Sequence, residues 1–505
     1  MTKHIDVQDV LDKIKIAQQK PFNDPRLVSH DLQKSTFTES GSATSGLTFY
    51  DLELGAKFLY PVLTPLRNRI PRVSGKGGIQ ANWRGVTAIN TQGLRFGVSA
   101  ANRGGVLAVA TQDYSASYKG IGVETSVDFE AQYAGQGFAD LRAIAAKTGL
   151  EALMLGEEAM ILGGASSQNA ALGITPTPTV VAGASGSLPT MTLSVIVAAL
   201  TLDGIMNGSV AGGIQATINR TNADGSSDTF GGGVAQKSNP STSAITGPNG
   251  SATATVASVP GALGYAWFWG AVGSETLGAI TTINSVAITE AATGTQTASL
   301  LPAADASTNN LAFDGLLSLA MQPGSGAYVA TQPTGTAGVG TPLTADGAGG
   351  IVEIDTALKS FWDNYRLSPD SIWVSSQEAL NISRKILQSP SSSAYRFVFE
   401  SDQNMIGGGT MIRTYLNRFS MAGGSNLDIK IHPNMPAGTI LFTTDMLPYP
   451  LANVGNVMQI RTRQDYYQIE WPLRSRKYEY GVYADEVLQH YFPPSLGVIT
   501  NIGNG

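Results

Sequence analysis

The sequence predicts an α+β fold with an all-β sandwich inserted into it, and three observations carry that expectation. Residues 137–163 keep apolar side chains at helical spacing without interruption. The C-terminal run divides into strands at 439–443, 457–461, 466–470 and 477–484, each closed by Pro, Gly or Asn. Between the two, residues 170–306 alternate in short runs separated by turn residues. A chain of 505 residues has room for about three domains. With 42% hydrophobic and 14% charged residues it can bury real cores.

Taken in order, residues 6–19 place Val7, Val10, Leu11 and Ile14 at helical spacing, a stripe marginal by itself. Residues 21–46 are polar and aperiodic, so residues 1–60 read either as an arm ordered against a partner or as a frayed terminus with a small helix. Residues 56–113 suit a long twisted hairpin: strand-like pieces at 79–84 and 105–110 lie among many glycines, with little core of their own. A lone hairpin is marginal in water, so this one needs a neighbour.

Phe138, Leu141, Ala145, Thr148, Ala152, Leu155, Ala159 and Leu162 then fall at spacings of three and four. They predict one face of a helix roughly 40 Å long. Asp140 suits its N-terminal dipole, and Gly163-Gly164 its stop. The insertion follows, with alternating runs at Leu193, Val195, Val197 and Ala199, at Ala252, Ala254 and Val256, at Tyr265, Trp267 and Trp269, and at Val286 and Ile288. Turns such as Pro248-Asn249-Gly250 separate them, the pattern of a β-sandwich. From about Leu311 mixed structure resumes: a helix at 351–365 with Ile354, Leu358, Phe361 and Trp362 on one face, a strand at 370–375, a helix at 377–387, and glycine loops at 407–409 and 423–424.

Charge is unevenly placed. Between Ala165 and Gly350 only Arg220 and Lys237 are basic, against eight acids, so the whole net charge of -6 lies there and the remainder is balanced. No acid separates Glu53 from Asp113, while Lys57, Arg67, Arg69, Arg72, Lys76, Arg84, Arg95 and Arg103 all do. Such a basic stretch, with Trp83 and Phe96 among the arginines, invites a nucleic-acid reading. Pairing with acids on another copy of the chain explains both the local excess and the overall balance, and is preferred.

The absence of Cys excludes disulfides and thiolate chemistry. The N-terminus has no apolar signal region, and residues 191–206 are broken by Thr192, Ser194, Thr201 and Asp203, too polar and short to span a bilayer. The expectation is a soluble protein, made in a cytoplasm, with no membrane partner. His4, His30, His432 and His490 stand in unrelated contexts, and Gly75-Lys76 lacks the flanking residues of a phosphate loop. Glu157-Glu158 reads as a solvated pair, and Trp267 with Trp269 as core. No catalytic residue, cofactor or metal site is expected. A β-rich carbohydrate-active enzyme would need paired cleft carboxylates and an export signal, and neither is found.

The run IHPNMPAGTILFTTDMLPYPLANVGNVMQIRTRQDYYQIEWPLRSRKYEYGVYADEVLQHYFPPSLGVITNI resembles the C-terminal part of the HK97-like major capsid proteins of tailed phages. SPDSIWVSSQEALNISRKIL resembles the strand-helix unit of that family's axial domain, and GYAWFWG the tryptophan-bearing strand of fibronectin type III or immunoglobulin-like modules. By this resemblance residues 1–60 are an N-terminal arm, 67–117 the extended loop, 118–165 with 437–505 the peripheral domain, 137–163 its spine helix, and 311–436 the axial domain. Residues 170–306 are an added immunoglobulin-like sandwich that should project outward.

The resemblance implies a major capsid protein that self-assembles as pentamers and hexamers into an icosahedral shell, in a virion formed in a host bacterial cytoplasm. The implied partners are further copies of itself, a scaffolding protein, a portal, a decoration protein, and packaged double-stranded DNA held non-specifically. An encapsulin-like nanocompartment shell is the alternative. Arg67, Arg69, Arg72, Lys76, Arg84, Arg95 and Arg103 are the candidate inter-subunit contacts. A few relatives cross-link a loop Lys to a neighbour's Asn, which singles out Lys76, though no matching acid and Asn are evident.

Overall fold

The computed structural model describes residues 57–89, 99–136, 139–166, 171–301, 303–387, 411–421 and 424–504. Residues 1–56 of the expected arm, Arg95 and Phe96, Phe138, and the 407–409 loop lie outside them.

The long helix runs Leu141–Gly163, and Asp140 caps it by accepting the N–H groups of Arg142 and Ala143 at 3.1 and 3.3 Å. Its most buried line is Ala145, Gly149, Leu153, Glu157 and Ile161, a strict repeat of four, while Ala152, Leu155 and Ala159 are only half-buried. The alternating stripe expected from apolarity is therefore rotated, because the sheet beneath demands small size at one point. A Cβ on Gly149 would sit 3.1 Å from Thr125 Cγ2.

That sheet has four strands in the order Arg72–Ser74, Met458–Glu470, Lys477–His490 and Lys119–Asp128, the first pair parallel and the others antiparallel. The two strands expected at 457–461 and 466–470 are one strand, with register shifts on either side of Gln464. Arg72–Ser74 belongs to this sheet, so the hairpin proper is the pair Gln80–Ile89 and Val109–Ser117.

A six-stranded mixed sheet forms a second unit, in the order Tyr328–Thr331, Gly497–Thr500, Ile440–Thr443, Ser371–Val374, Ser425–Ile431 and Thr414–Asn417. Helices Val352–Tyr365 and Ser376–Leu387 accompany it, and Ile354, Leu358, Phe361, Ile372, Ile382, Leu427, Phe442 and Ile499 share its core. The first helix ends where Arg366 adopts the left-handed conformation at φ 53°.

The insertion builds two sheets around one apolar cluster. Thr179–Leu188, Gly250–Thr255 and Ser285–Ile288 form one; Ser241–Ile245, Met191–Leu200, Gly264–Ala271 and Thr276–Thr281 form the other. Trp267 and Trp269 are both buried in this cluster, as expected, and their indole N–H groups donate to Thr281 Oγ1 and the Glu290 carbonyl.

The second face of the four-stranded sheet is buried as well. Ile196, Ala198, Leu200, Ala266 and Phe268 join the core that also holds Ile161, Leu162 and Phe313. The insertion is not an appendage on a linker. Asn284 and Asn501, both buried, bind each other across 217 positions: Asn501 Oδ1 accepts the Asn284 N–H at 2.8 Å, and Asn501 Nδ2 donates to Asn284 Oδ1 at 3.1 Å.

Candidate functional site: a buried ion network at the root of the hairpin

Glu157 and Glu158, expected to be solvated, are 1% and 0% exposed. Their burial has a clear cause: folding supplies each with donors from distant parts of the chain. Glu158 accepts the N–H groups of Leu66 and Arg67 at 2.8 and 2.7 Å, at the start of the helical turn Pro65–Arg69. His432 Nε2 lies 2.6 Å from its Oε1. Because the Asn434 N–H donates to His432 Nδ1 at 3.1 Å, the ring proton sits on Nε2 and is given to Glu158. His432 is thus a neutral donor within the core, a pairing that chain spacing conceals.

Glu157 faces the other way. Arg67 Nε is 3.0 Å from it, and Arg72 and the Tyr466 hydroxyl also donate to it. Arg72 further binds Asp465 at 2.7 Å and Glu486 at 2.6 Å, and its guanidinium lies 4.5 Å from the centre of the Tyr466 ring. Burial works against the charge of Arg72, but the bonds to Asp465, Glu486 and Glu157 outweigh it and raise its pKa above the ordinary value. Burial, then the bond to Glu157, raises Tyr466 as well, so it stays a phenol. Arg69 chelates Asp445 and donates to Ser371 Oγ at 2.7 Å, tying the same turn to the six-stranded sheet.

The six basic candidates among the described residues therefore divide. Arg67, Arg69 and Arg72, expected to face neighbouring copies, have their charges answered inside their own chain. The acids missing from residues 54–112 are supplied by the long helix, by the strands Met458–Glu470 and Lys477–His490, and by Asp445 just after Ile440–Thr443. Arg84 pairs with Asp113 across the hairpin in full solvent. Lys76 and Arg103 are exposed and make no ion pair among the described residues. The sequence did hold a signal for the buried acids: position 157 continues the line 145, 149, 153, and a basic stretch this free of acids needs counter-charges elsewhere.

The site's chemistry is that of a clamp. Both oxygens of Glu157 and of Glu158 are engaged, by guanidinium, phenol, imidazole and backbone donors. Among the described residues no group of three His, Asp or Glu is placed to hold a metal, and no helix is long and apolar enough to cross a membrane.

Beyond the clamp the hairpin leaves the body. Ala81 is buried and Trp83 packs edge-on against Tyr491 at 6.0 Å, but Val86, Ile89, Val106 and Val109 are each more than half exposed.

No protein-family model and no curated protein matches the chain. Among solved structures it is similar to the capsid of an empty GTA particle, at 9% identity and a TM-score of 0.41, covering 92% of this chain and 99% of that one. It is similar to the capsid of cyanophage A-1(L), at 10% identity and 0.41, covering 90% and 97%. It is also similar to the holo-SrpI encapsulin of Synechococcus elongatus, at 10% identity and 0.34, covering 89% and 92%.

Proposed function

We propose that this chain is a major capsid protein of the HK97-like family, which assembles as pentamers and hexamers into an icosahedral shell around the double-stranded DNA of a tailed phage. The observation that carries the reading is the contrast within the hairpin. Its root is fixed by a buried ion network, yet beyond Trp83 its strands pair only with each other and keep apolar side chains in water. A two-stranded ribbon is marginal in water, so a firmly held ribbon of this kind is suited to be covered by another copy. A patch on one copy that meets a different patch on the next is a heterologous contact, and such contacts close into rings.

In this reading the hairpin is the extended loop, the four-stranded sheet with its long helix is the peripheral domain, and the six-stranded unit is the axial domain. The two-sheet insertion is an immunoglobulin-like module whose acidic surface faces outward. Scaffold, portal, decoration protein and non-specifically held DNA are the partners. Lys76, Arg84, Arg95 and Arg103 remain the candidates for contact between copies.

The test is negative-stain electron microscopy and light scattering of the chain after size-exclusion chromatography. Rings or closed particles that disappear when residues 86–109 are replaced by a short turn support the proposal. A strict monomer at every concentration, unchanged by that replacement, overturns it. Nuclease-protected DNA inside particles made with the other virion components distinguishes a genome container from a cargo compartment.

A further inference from the structure

Arg72 binds two buried carboxyls at once. One is Glu157 on the long helix; the other is Glu486 on the strand Lys477–His490, fully buried, with Oε1 left without a partner. The two carboxyls engage the two amino groups of a single guanidinium. Two carboxylates held against one guanidinium in a dry site do not both ionise at ordinary cost. Among the described residues the surroundings supply no further cation. Arg67 is committed to Glu157 and Tyr466, Asp465 adds a negative charge, and Lys119, opposite Glu486 in register, donates to the Asn310 carbonyl at 2.5 Å.

We infer that Glu157 and Glu486 hold one proton between them, and that this proton latches the strand Arg72–Ser74, and with it the hairpin root, to the body. The inference concerns this chain's own fold and stands whether or not a shell forms. The latch consists of a carboxylic acid donating to a carboxylate while both engage one guanidinium. Opening the root carries Glu486 into water, where it ionises and stays ionised at neutral pH.

The direction of the pH effect follows from linkage. Burial, then the charge of Glu157, raises Glu486 from 4.5 to about 8 in the closed form, whereas in the open form it returns to the ordinary value. The latch is therefore tightest in mild acid. Its opening constant rises by up to about tenfold per pH unit as pH climbs from about 5 towards 8, and levels off above that.

The experiment is amide hydrogen exchange of the full chain from pH 5 to 9, corrected for intrinsic base catalysis. It is read on peptides covering Arg72–Ser74 and the paired segment of Met458–Glu470. The wild type should show the rise and plateau, and Glu486→Gln, which keeps a neutral donor, should lose the slope. Glu378→Gln, a buried carboxyl in the six-stranded unit, should behave as the wild type. A flat wild-type profile, or the same slope in Glu486→Gln, overturns the proposal. Infrared spectroscopy of the wild type gives an independent reading should that variant not fold. Because burial also raises Glu378 to about 7, the spectrum is taken on Glu378→Gln as well: a protonated-carboxyl band that persists there at pH 6.5 and is bleached by pH 9 supports the shared proton, and its absence there overturns it.

Discussion

The carboxylate of Glu158 lies 2.6 Å from Nε2 of His432, although 274 positions separate them in the chain. This contact joins the end of the long helix to the loop after Ser425–Ile431. With the bonds to Leu66 and Arg67, it makes one buried acid the meeting point of three parts of the fold.

Removing either partner should be costly, because a buried acceptor left short of donors bears its desolvation penalty. We expect His432→Ala to lower stability by about 1–3 kcal/mol, read from urea unfolding. A change below about half a kcal/mol would show that the bond contributes nothing net.

Arginines in the clamp and basic residues on the hairpin should respond differently. Arg72→Glu sets a third carboxylate against Glu157 and Glu486 and should destabilise the fold by at least about 3 kcal/mol or abolish it. Lys76→Glu and Arg103→Glu alter exposed positions and should leave the unfolding midpoint within about 0.5 kcal/mol, while changing association by light scattering. Equal thermal stability of all three variants would contradict the assignment of Arg72 to the clamp.

The insertion should resist removal. Deleting residues 175–304 exposes Ile161, Leu162 and Phe313, whose core the insertion completes, so the shortened chain should be insoluble. Asn501→Ala breaks the bonds to Asn284 and should cost about 1–3 kcal/mol. A soluble deletion variant with a cooperative melt would restore the picture of an independent added domain.

His490 supplies an acid limb. Its ring is buried with neither nitrogen bonded among the described residues, and burial lowers its pKa from 6.5 to about 3. The folded state binds its proton less readily than the unfolded chain. The associated stability is therefore whole above 6.5 and is lost as pH falls towards 3, amounting to about 2 kcal/mol at pH 5. His490→Phe should flatten this limb in denaturation midpoints taken from pH 7 to 4. An unchanged slope would mean that other groups carry it.

Two glycines of the long helix should give opposite signs. A Cβ on Gly156 meets nothing within 4 Å, so Gly156→Ala should stabilise by about 0.5–1 kcal/mol. A Cβ on Gly163 would stand 2.5 Å from Leu202 Cδ2, so Gly163→Ala should destabilise by about 1–3 kcal/mol. Thermal melts of the two variants check both, and a gain in stability from Gly163→Ala would show that the junction with the insertion yields easily.

By itself the sequence determined the local elements. The long helix with Asp140 at its start, the helix and strand near Trp373, the C-terminal strands and the paired tryptophans all follow from periodicity, capping and turn residues, which act over a few positions. Tertiary structure alone decided which charges meet. Glu157, Glu158, His432 and Glu486 carry no local signature, because their donors come from hundreds of positions away and their burial depends on those donors arriving. The rotation of the helix face towards Gly149 and Glu157, and the second buried face of the insertion's four-stranded sheet, have the same origin. Apolarity sets which residues can be buried, but the close approach of another element, and the charges it brings, sets which ones are.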